Sequence, residues 1–170
     1  MKVLSAVFLI SLATLSRAFV PLVPQTLRPT VALSANPIDT LFAVLKEGKV
    51  GLVKSLAGEY DAPAIRTKID NLVEESPVLL MSFTTCPFCI EAKGVLDSKG
   101  AKYTVVELDE EEDGKAIRAE MGGMLGRTSV PAIWIDGTFI GGCNDGPLGG
   151  VNGLQKEGRL DGMLKAAGAM

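Results

Sequence analysis

Two cysteines, Cys86 and Cys89, stand three positions apart in "TTCPFCIEAKG" (84–94), with Pro87 and Phe88 between them and the apolar run "PVLLMSF" just ahead. Thiols at that spacing can hold a metal, form an inert staple or pass electrons. A staple closing so short a loop restrains little of the unfolded chain. A structural zinc wants four protein ligands, whereas the chain offers one further thiol, Cys143, and no histidine. The lack of imidazole also removes Ser-His-Asp and Cys-His catalysis. In a mixed strand and helix pattern, a Cys-x-x-Cys pair reads best as thiol–disulfide chemistry.

That chemistry needs a strand and a helix in a particular arrangement. "PVLLMSF" reads as a buried strand that delivers Cys86 to the start of a helix, "PFCIEAKGVLDSKG", ending at Gly100. Pro87 in the first turn loses nothing, because its missing N–H would have had no partner there. A thiolate on Cys86 would face free N–H groups and the positive end of the helix dipole, an environment that makes a cysteine nucleophilic. Cys89 falls about one turn on, beneath Cys86 and more buried. One thiol attacks and the other resolves.

The remaining elements follow from periodicity. "NPIDTLFAVLKEG" reads as a short helix with Ile38, Leu41, Phe42 and Leu45 on one face and Gly48 as its stop; "APAIRTKIDNLVEES" is a second, with Ile65, Ile69, Leu72 and Val73 in register. "KYTVVELD" is a strand, "DGKAIRAEMGGML" a helix, and "VPAIWIDGTFIGG" a hairpin turning at Asp136-Gly137. "LGGVNGLQKEGRLDGMLKAAG" closes the chain as one glycine-softened helix. A strand, a helix and a strand in succession favour a right-handed parallel unit, to which the hairpin adds antiparallel strands. The expected class is α/β, a four-stranded mixed sheet flanked by helices on both faces.

A chain of 170 residues with 47% apolar content can fill one core and carry extra terminal segments. A net charge of −3 gives no electrostatic reason to bind nucleic acid. Three cysteines are too few for a disulfide-built scaffold.

The front of the chain reads as an address. Lys2, the apolar stretch Val3–Leu15 and then Ser16-Arg17-Ala18 have the order of a secretory signal, too short for a membrane span. "FVPLVPQTLRPTVALSA" follows with three prolines, one arginine and no acid; the first acidic residue is Asp39. Removing residues 1–35 takes away Lys2, Arg17 and Arg28, leaving 14 basic against 20 acidic residues, a net −6. A signal followed by an acid-free segment resembles the two-part presequence of algal plastids acquired from another eukaryote, in which a Phe such as Phe19 often follows the cut. The organisation expected is a signal peptide over 1–18, a transit-like segment over 19–35, a helical lead-in over 36–61 and a folded domain over 62–170. Delivery to a plastid follows from this, with the secretory pathway as the alternative, and the mature form is not expected to be membrane-bound.

Over roughly residues 77–170 the chain resembles the glutaredoxin family. "TCPFC" (Thr85–Cys89) has its dithiol pattern, and "TSVP" (Thr128–Pro131) and "GGCND" (Gly141–Asp145) match its glutathione site in order and spacing. The resemblance implies a thioredoxin-like fold and a glutathione-dependent oxidoreductase that reduces protein disulfides and protein–glutathione mixed disulfides. It implies catalytic Cys86 and Cys89, and a glutathione site of Phe88, Arg127, Ser129, Val130, Pro131, Gly142, Cys143, Asn144 and Asp145. In it Pro131 is cis and the Val130 peptide pairs with the backbone of glutathione like an added rung of sheet. The "GGCND" N–H groups receive the γ-glutamyl carboxylate and Asp145 the ammonium, though Asp145 could also cap the last helix. Arg127 attracts the glycyl carboxylate or is a solvated surface charge. Cys143 is a spare thiol or a buried small residue. One departure is Phe83, where the family commonly has Lys; Lys93 is the nearest cation on the thiol helix. The resemblance further implies a monomer whose partners are glutathione and disulfide-containing or glutathionylated proteins, with no metal and no nucleic acid. Two alternatives stay open: a carrier of a glutathione-ligated [2Fe–2S] cluster, which Pro87 should hinder by stiffening the loop, and a thioredoxin-type reductant.

Overall fold

The computed structural model describes the backbone of residues 37–170 and, among the side chains before Gly48, only Leu45. The expected signal and transit-like segments, and the side chains of Ile38, Leu41 and Phe42, lie outside the described residues. In chain order the elements are α1 (Pro37–Ala57), α2 (Ala62–Glu75), β1 (Val78–Ser82), α3 (Pro87–Ser98), β2 (Thr104–Glu107), α4 (Gly114–Leu125), β3 (Ala132–Ile135), β4 (Thr138–Gly141), α5 (Gly150–Lys156) and α6 (Leu160–Ala166).

The sheet runs β2-β1-β3-β4. β1 pairs parallel with β2 and antiparallel with β3, and β3 and β4 form the antiparallel hairpin. This is the mixed four-stranded sheet expected above. β1 lies inside it and is buried along its whole length. Its alternating side chains feed two cores: Val78 and Leu80 join Leu96, Leu154, Leu160 and Leu164 from α3, α5 and α6, while Leu79 and Met81 join Ile65, Ile69, Ile117 and Met121 from α2 and α4. A strand covered on both faces reads as an unbroken apolar run, and that is why "PVLLMSF" carries no polar alternation. Both hairpin turn residues, Asp136 (φ 49°) and Gly137 (φ 70°), are left-handed, as the two-residue turn matching strand twist requires.

Two helices differ from the sequence reading. α1 does not stop at Gly48 but continues through Gly48 and Gly51 to Ala57, ending before Gly58 at φ 76°. Each interior glycine costs about 1 kcal/mol of helix propensity, and packing of this helix against α4 offsets that cost, with Val50 and Val53 half-buried. Leu45 is exposed, so the expected apolar face does not extend to it. The single closing helix is instead α5 and α6, parted by a turn at Glu157–Gly158 in which the Arg159 N–H returns to the Leu154 carbonyl (2.9 Å). Each short helix still buries its own pair, Val151 with Leu154 and Leu160 with Leu164.

Candidate functional site

β1 carries the chain to Cys86, which occupies the N-cap of α3. The Cys86 carbonyl accepts the N–H groups of Cys89 (3.1 Å) and Ile90 (3.0 Å), while its side chain makes no capping bond. The sulfur is therefore held at the helix entrance and left available, 4.0 Å from the Val130 carbonyl oxygen. Cys89, one turn on, is fully buried. Burial, with the neighbouring Cys86 adding to it, pushes the Cys89 thiol up to about 11, against opposing hydrogen bonds from the Phe83 backbone and the Ser82 side chain. All three cysteines are free thiols. The pair thus has the asymmetry expected from its spacing: one accessible sulfur, and one that stays protonated near neutral pH.

Beside Cys86 lies a cleft of about 290 Å³ lined by Phe88, Arg127, Ser129, Val130, Pro131, Cys143, Asn144 and Asp145. These come from the first turn of α3, the α4–β3 loop and the loop after β4, segments far apart in sequence. Gly142 packs against three of these residues: a Cβ there would meet Asp145 Oδ1 at 2.5 Å, the Pro131 carbonyl at 3.0 Å and Arg127 Nη2 at 3.1 Å. The residues singled out from the sequence are thus brought together. The Val130–Pro131 peptide is cis, and Phe88 projects outward, 57% exposed.

The charges are arranged differently from the two separate roles read in the sequence. Arg127 is only 16% exposed, so it is not a solvated surface charge; its Nη2 is 3.2 Å from Asp145 Oδ2, and its Nε donates to Ser129 Oγ (3.1 Å). Asp145 does not cap a helix, because α5 starts at Gly150 with Gly149 as its N-cap. Cys143 is buried, and burial followed by the nearby Glu91 charge pushes its thiol up to about 11. Asn152 Nδ2 donates to Glu91 (2.6 Å) and Asn144 (2.8 Å) and lies 3.4 Å from the Cys143 sulfur. Lys93 does not replace a cation at Phe83, since it is paired with Glu107 on β2. The Phe83 ring instead lies 5.1 Å beneath the Arg118 guanidinium.

Two supports were not foreseen. The Asp109 carboxylate, just past β2, accepts the Thr84 N–H (3.0 Å to each oxygen) and the Thr84 hydroxyl (2.5 Å); the hydroxyl bond above all holds this carboxyl below its usual range. Arg118 donates from Nε to the Thr128 carbonyl (2.8 Å). They fix the backbone two residues before Cys86 and two residues before Val130, and no local motif marks them. Among the described residues no group of three or more His, Cys, Asp or Glu is placed to hold a metal ion, and no helix is long and apolar enough to cross a membrane.

The glutaredoxin family model matches residues 78–140. A glutaredoxin of Ricinus communis is 39% identical over 104 residues, 61% of this chain and 97% of the relative. A rice protein described as glutaredoxin-C4, chloroplastic, is 38% identical over 103 residues, 61% of this chain and 74% of its own length. Among solved structures, a buckwheat glutaredoxin in complex with glutathione superposes with a TM-score of 0.60 at 35% identity, covering 64% of this chain and 94% of that one.

Proposed function

The chain belongs to the glutaredoxin family, and from that premise we propose that it is a dithiol glutaredoxin of the plastid, with Cys86 as nucleophile and Cys89 as resolving thiol. It is a glutathione-dependent thiol–disulfide oxidoreductase. On a protein–glutathione mixed disulfide, the Cys86 thiolate attacks the glutathione sulfur. The protein leaves as a thiolate and takes up a proton, and Cys86 is left bonded to glutathione. A second glutathione thiolate attacks that bond, giving oxidised glutathione and regenerating Cys86. On a protein disulfide, Cys86 captures one sulfur, and Cys89 loses its proton and displaces the protein. The resulting Cys86–Cys89 disulfide is then reduced by two glutathiones. Glutaredoxin couples near −200 to −230 mV run reversibly against the glutathione pool.

The observation that carries this reading is the uncapped Cys86 sulfur at the entrance of α3, beside a cleft walled by the Arg127–Asp145 pair. Bound glutathione carries a carboxylate at its glycyl end and an ammonium at its γ-glutamyl end. We assign the first to Arg127 and the second to Asp145, so that the ligand exchanges one protein ion pair for two charge-assisted contacts of its own. Phe88 flanks the sulfur, Val130 offers its peptide edge, Cys143 and Asn144 line the cleft with Ser129 and Pro131, and Gly142 packs against Asp145, Pro131 and Arg127. The plastid address rests on the acid-free front of the chain and is compatible with a chloroplastic relative. The organisation proposed is a signal over 1–18, a transit-like segment over 19–35, a lead-in over 36–61 and the glutaredoxin domain over 62–170.

The test is a glutathione-coupled disulfide reduction assay comparing Cys86→Ser with Cys89→Ser. Loss of activity with the first and partial retention on mixed disulfides with the second is the expected result. Retained activity in Cys86→Ser would remove the nucleophile assignment.

A further inference from the structure

α1 precedes the segment matched by the family model, and the chemistry above gives it no part. Its packing shows where it could have one. A Cβ placed on Gly122 of α4 would meet the Thr128 methyl carbon Cγ2 at 2.8 Å and Val50 Cγ1 of α1 at 3.1 Å. The missing side chain at Gly122 is therefore a notch, filled from one side by the cleft loop and from the other by α1. The loop reaches the notch because α4 ends at Leu125 with Gly126 in the left-handed region (φ 63°), turning the chain back over its own helix. The Thr128 carbonyl is then held by Arg118 Nε (2.8 Å), whose guanidinium rests on Phe83.

Thr128 is thus held at two points, by its methyl in the notch and by its carbonyl on Arg118. It stands between Arg127 and Ser129 and two residues before Val130, all of which line the cleft. Glu120 of α4, 1% exposed, takes the hydroxyl of Tyr60, three residues past the end of α1 (2.8 Å), and Nε of Arg66 on α2 (2.5 Å); from α1 itself Lys54 Nζ lies 3.7 Å away. Val50 stands one turn before Lys54 on the same side of the helix, so the Tyr60 tether just past the end of α1 and the Lys54 contact keep this side of α1, with Val50, over α4.

We infer that Val50 of α1 and Gly122 of α4 form a seat that positions the Thr128–Val130 segment, so that the lead-in helix sets the affinity of the cleft for glutathione without touching it. The inference rests on reading the cleft as the glutathione site. Val50 and Gly122 are positioning residues, and their signature is a change in KM for glutathione with kcat preserved, because Cys86 and the entrance of α3 stay as they are.

The test uses the full chain with glutathione and a glutathionylated peptide, together with the amide resonances of Ser129 and Val130. Gly122→Ala is expected to raise KM for glutathione roughly five- to tenfold, the scale of one overpacked contact, with kcat within about twofold, and to shift both resonances. Combining it with Thr128→Ser, which deletes the opposing methyl, is expected to restore KM and the resonances to those of Thr128→Ser alone. Should Gly122→Ala fail to fold, Val50→Ala gives the same direction by loosening the seat, with KM up by roughly two- to threefold. Unmoved resonances, or equal falls in kcat and kcat/KM without rescue, overturn the inference. Resonances that move and are rescued in a protein whose wild type turns over no glutathione uphold the seat and overturn the functional reading instead.

Discussion

A methyl group added at Gly142 is the smallest change that would crowd three lining residues of the cleft at once. No left-handed backbone is needed at Gly142, so Gly142→Ala acts by volume alone. The new Cβ meets three atoms too closely: Asp145 Oδ1 at 2.5 Å, the Pro131 carbonyl at 3.0 Å and Arg127 Nη2 at 3.1 Å. Asp145 is 66% exposed and can swing aside at the cost of its pair with Arg127, worth about 0.2–1 kcal/mol at such a surface position. The Pro131 carbonyl is main chain at a buried residue and has to shift by a few tenths of an ångström, an overpacking cost of about 1–3 kcal/mol. Both displacements fall on groups assigned to glutathione. A binding loss of that size raises KM for glutathione by roughly tenfold or more, while kcat at saturation holds because α3 is untouched. The assay is steady-state reduction of a glutathionylated peptide with glutathione varied, alongside thermal unfolding. Gly153→Ala is the matched control. Its Cβ would find only the Leu148 carbonyl, at 3.6 Å, and gains about 0.5–1 kcal/mol of helix stability. A KM within twofold of wild type in folded Gly142→Ala would refute the assignment of this cleft.

Glu120→Ala removes the buried carboxylate that ties α4 to Arg66 of α2 and to Tyr60 of the lead-in. The fully buried carboxylate loses two charge-assisted bonds while Arg66 regains solvent, so a stability loss of about 2–3 kcal/mol in urea unfolding is expected. Burial alone would raise this carboxyl, but the Arg66 and Tyr60 hydrogen bonds and the Arg66 and Lys54 charges outweigh it and hold it below its ordinary value of 4.5. A carboxyl depressed in the fold stabilises above the ordinary value and loses that contribution as pH falls through its folded value. Wild type should therefore lose stability below pH 4.5 more steeply than Glu120→Ala, and equal acid limbs would refute the anchor. On the alkaline side the two buried thiols act first, ahead of Tyr60 and Tyr103, which are pushed from 10.0 up to about 12. Cys89 and Cys143 move from 9.0 to about 11, so the neutral-thiol fold keeps its full stability below pH 9 and loses it as pH rises through about 11. Cys143→Ala should flatten that decline, measured by unfolding between pH 8 and 11.

Much of the site was legible because it is built from short-range rules. Cys86 at a helix entrance follows from an apolar run, a proline and a helical period, all within fifteen residues. Phe88 and Cys89 are then fixed by the helical turn, and Asp136-Gly137 fixes the hairpin that carries Gly142 to its place. Residues read from "TSVP" and "GGCND" line one cleft because two strands pair across that turn, with a one-residue register shift between Trp134 and Ile133 that sets Ile133 opposite Gly141. The two misread helices show the limit of such rules. Gly48 looked like a stop, and a glycine's cost in a helix is small enough for packing against α4 to override it. Gly158 looked tolerable, yet the turn there lets Leu154 and Leu160 both reach the same core.

By itself the sequence determined the order of the strands, the buried faces of β1 and α2 and the pairing of an accessible with a buried thiol, since each depends on side-chain periodicity and helix-end geometry over one or two turns. Only the tertiary structure decided which charges meet. Arg127 finds Asp145 eighteen residues on, Asp109 reaches back twenty-five to Thr84, Lys93 is drawn to Glu107, and Val50 settles over Gly122. Those contacts join segments that share no period, and a polar side chain's partner is fixed by whichever group the sheet and helices bring within about 3 Å.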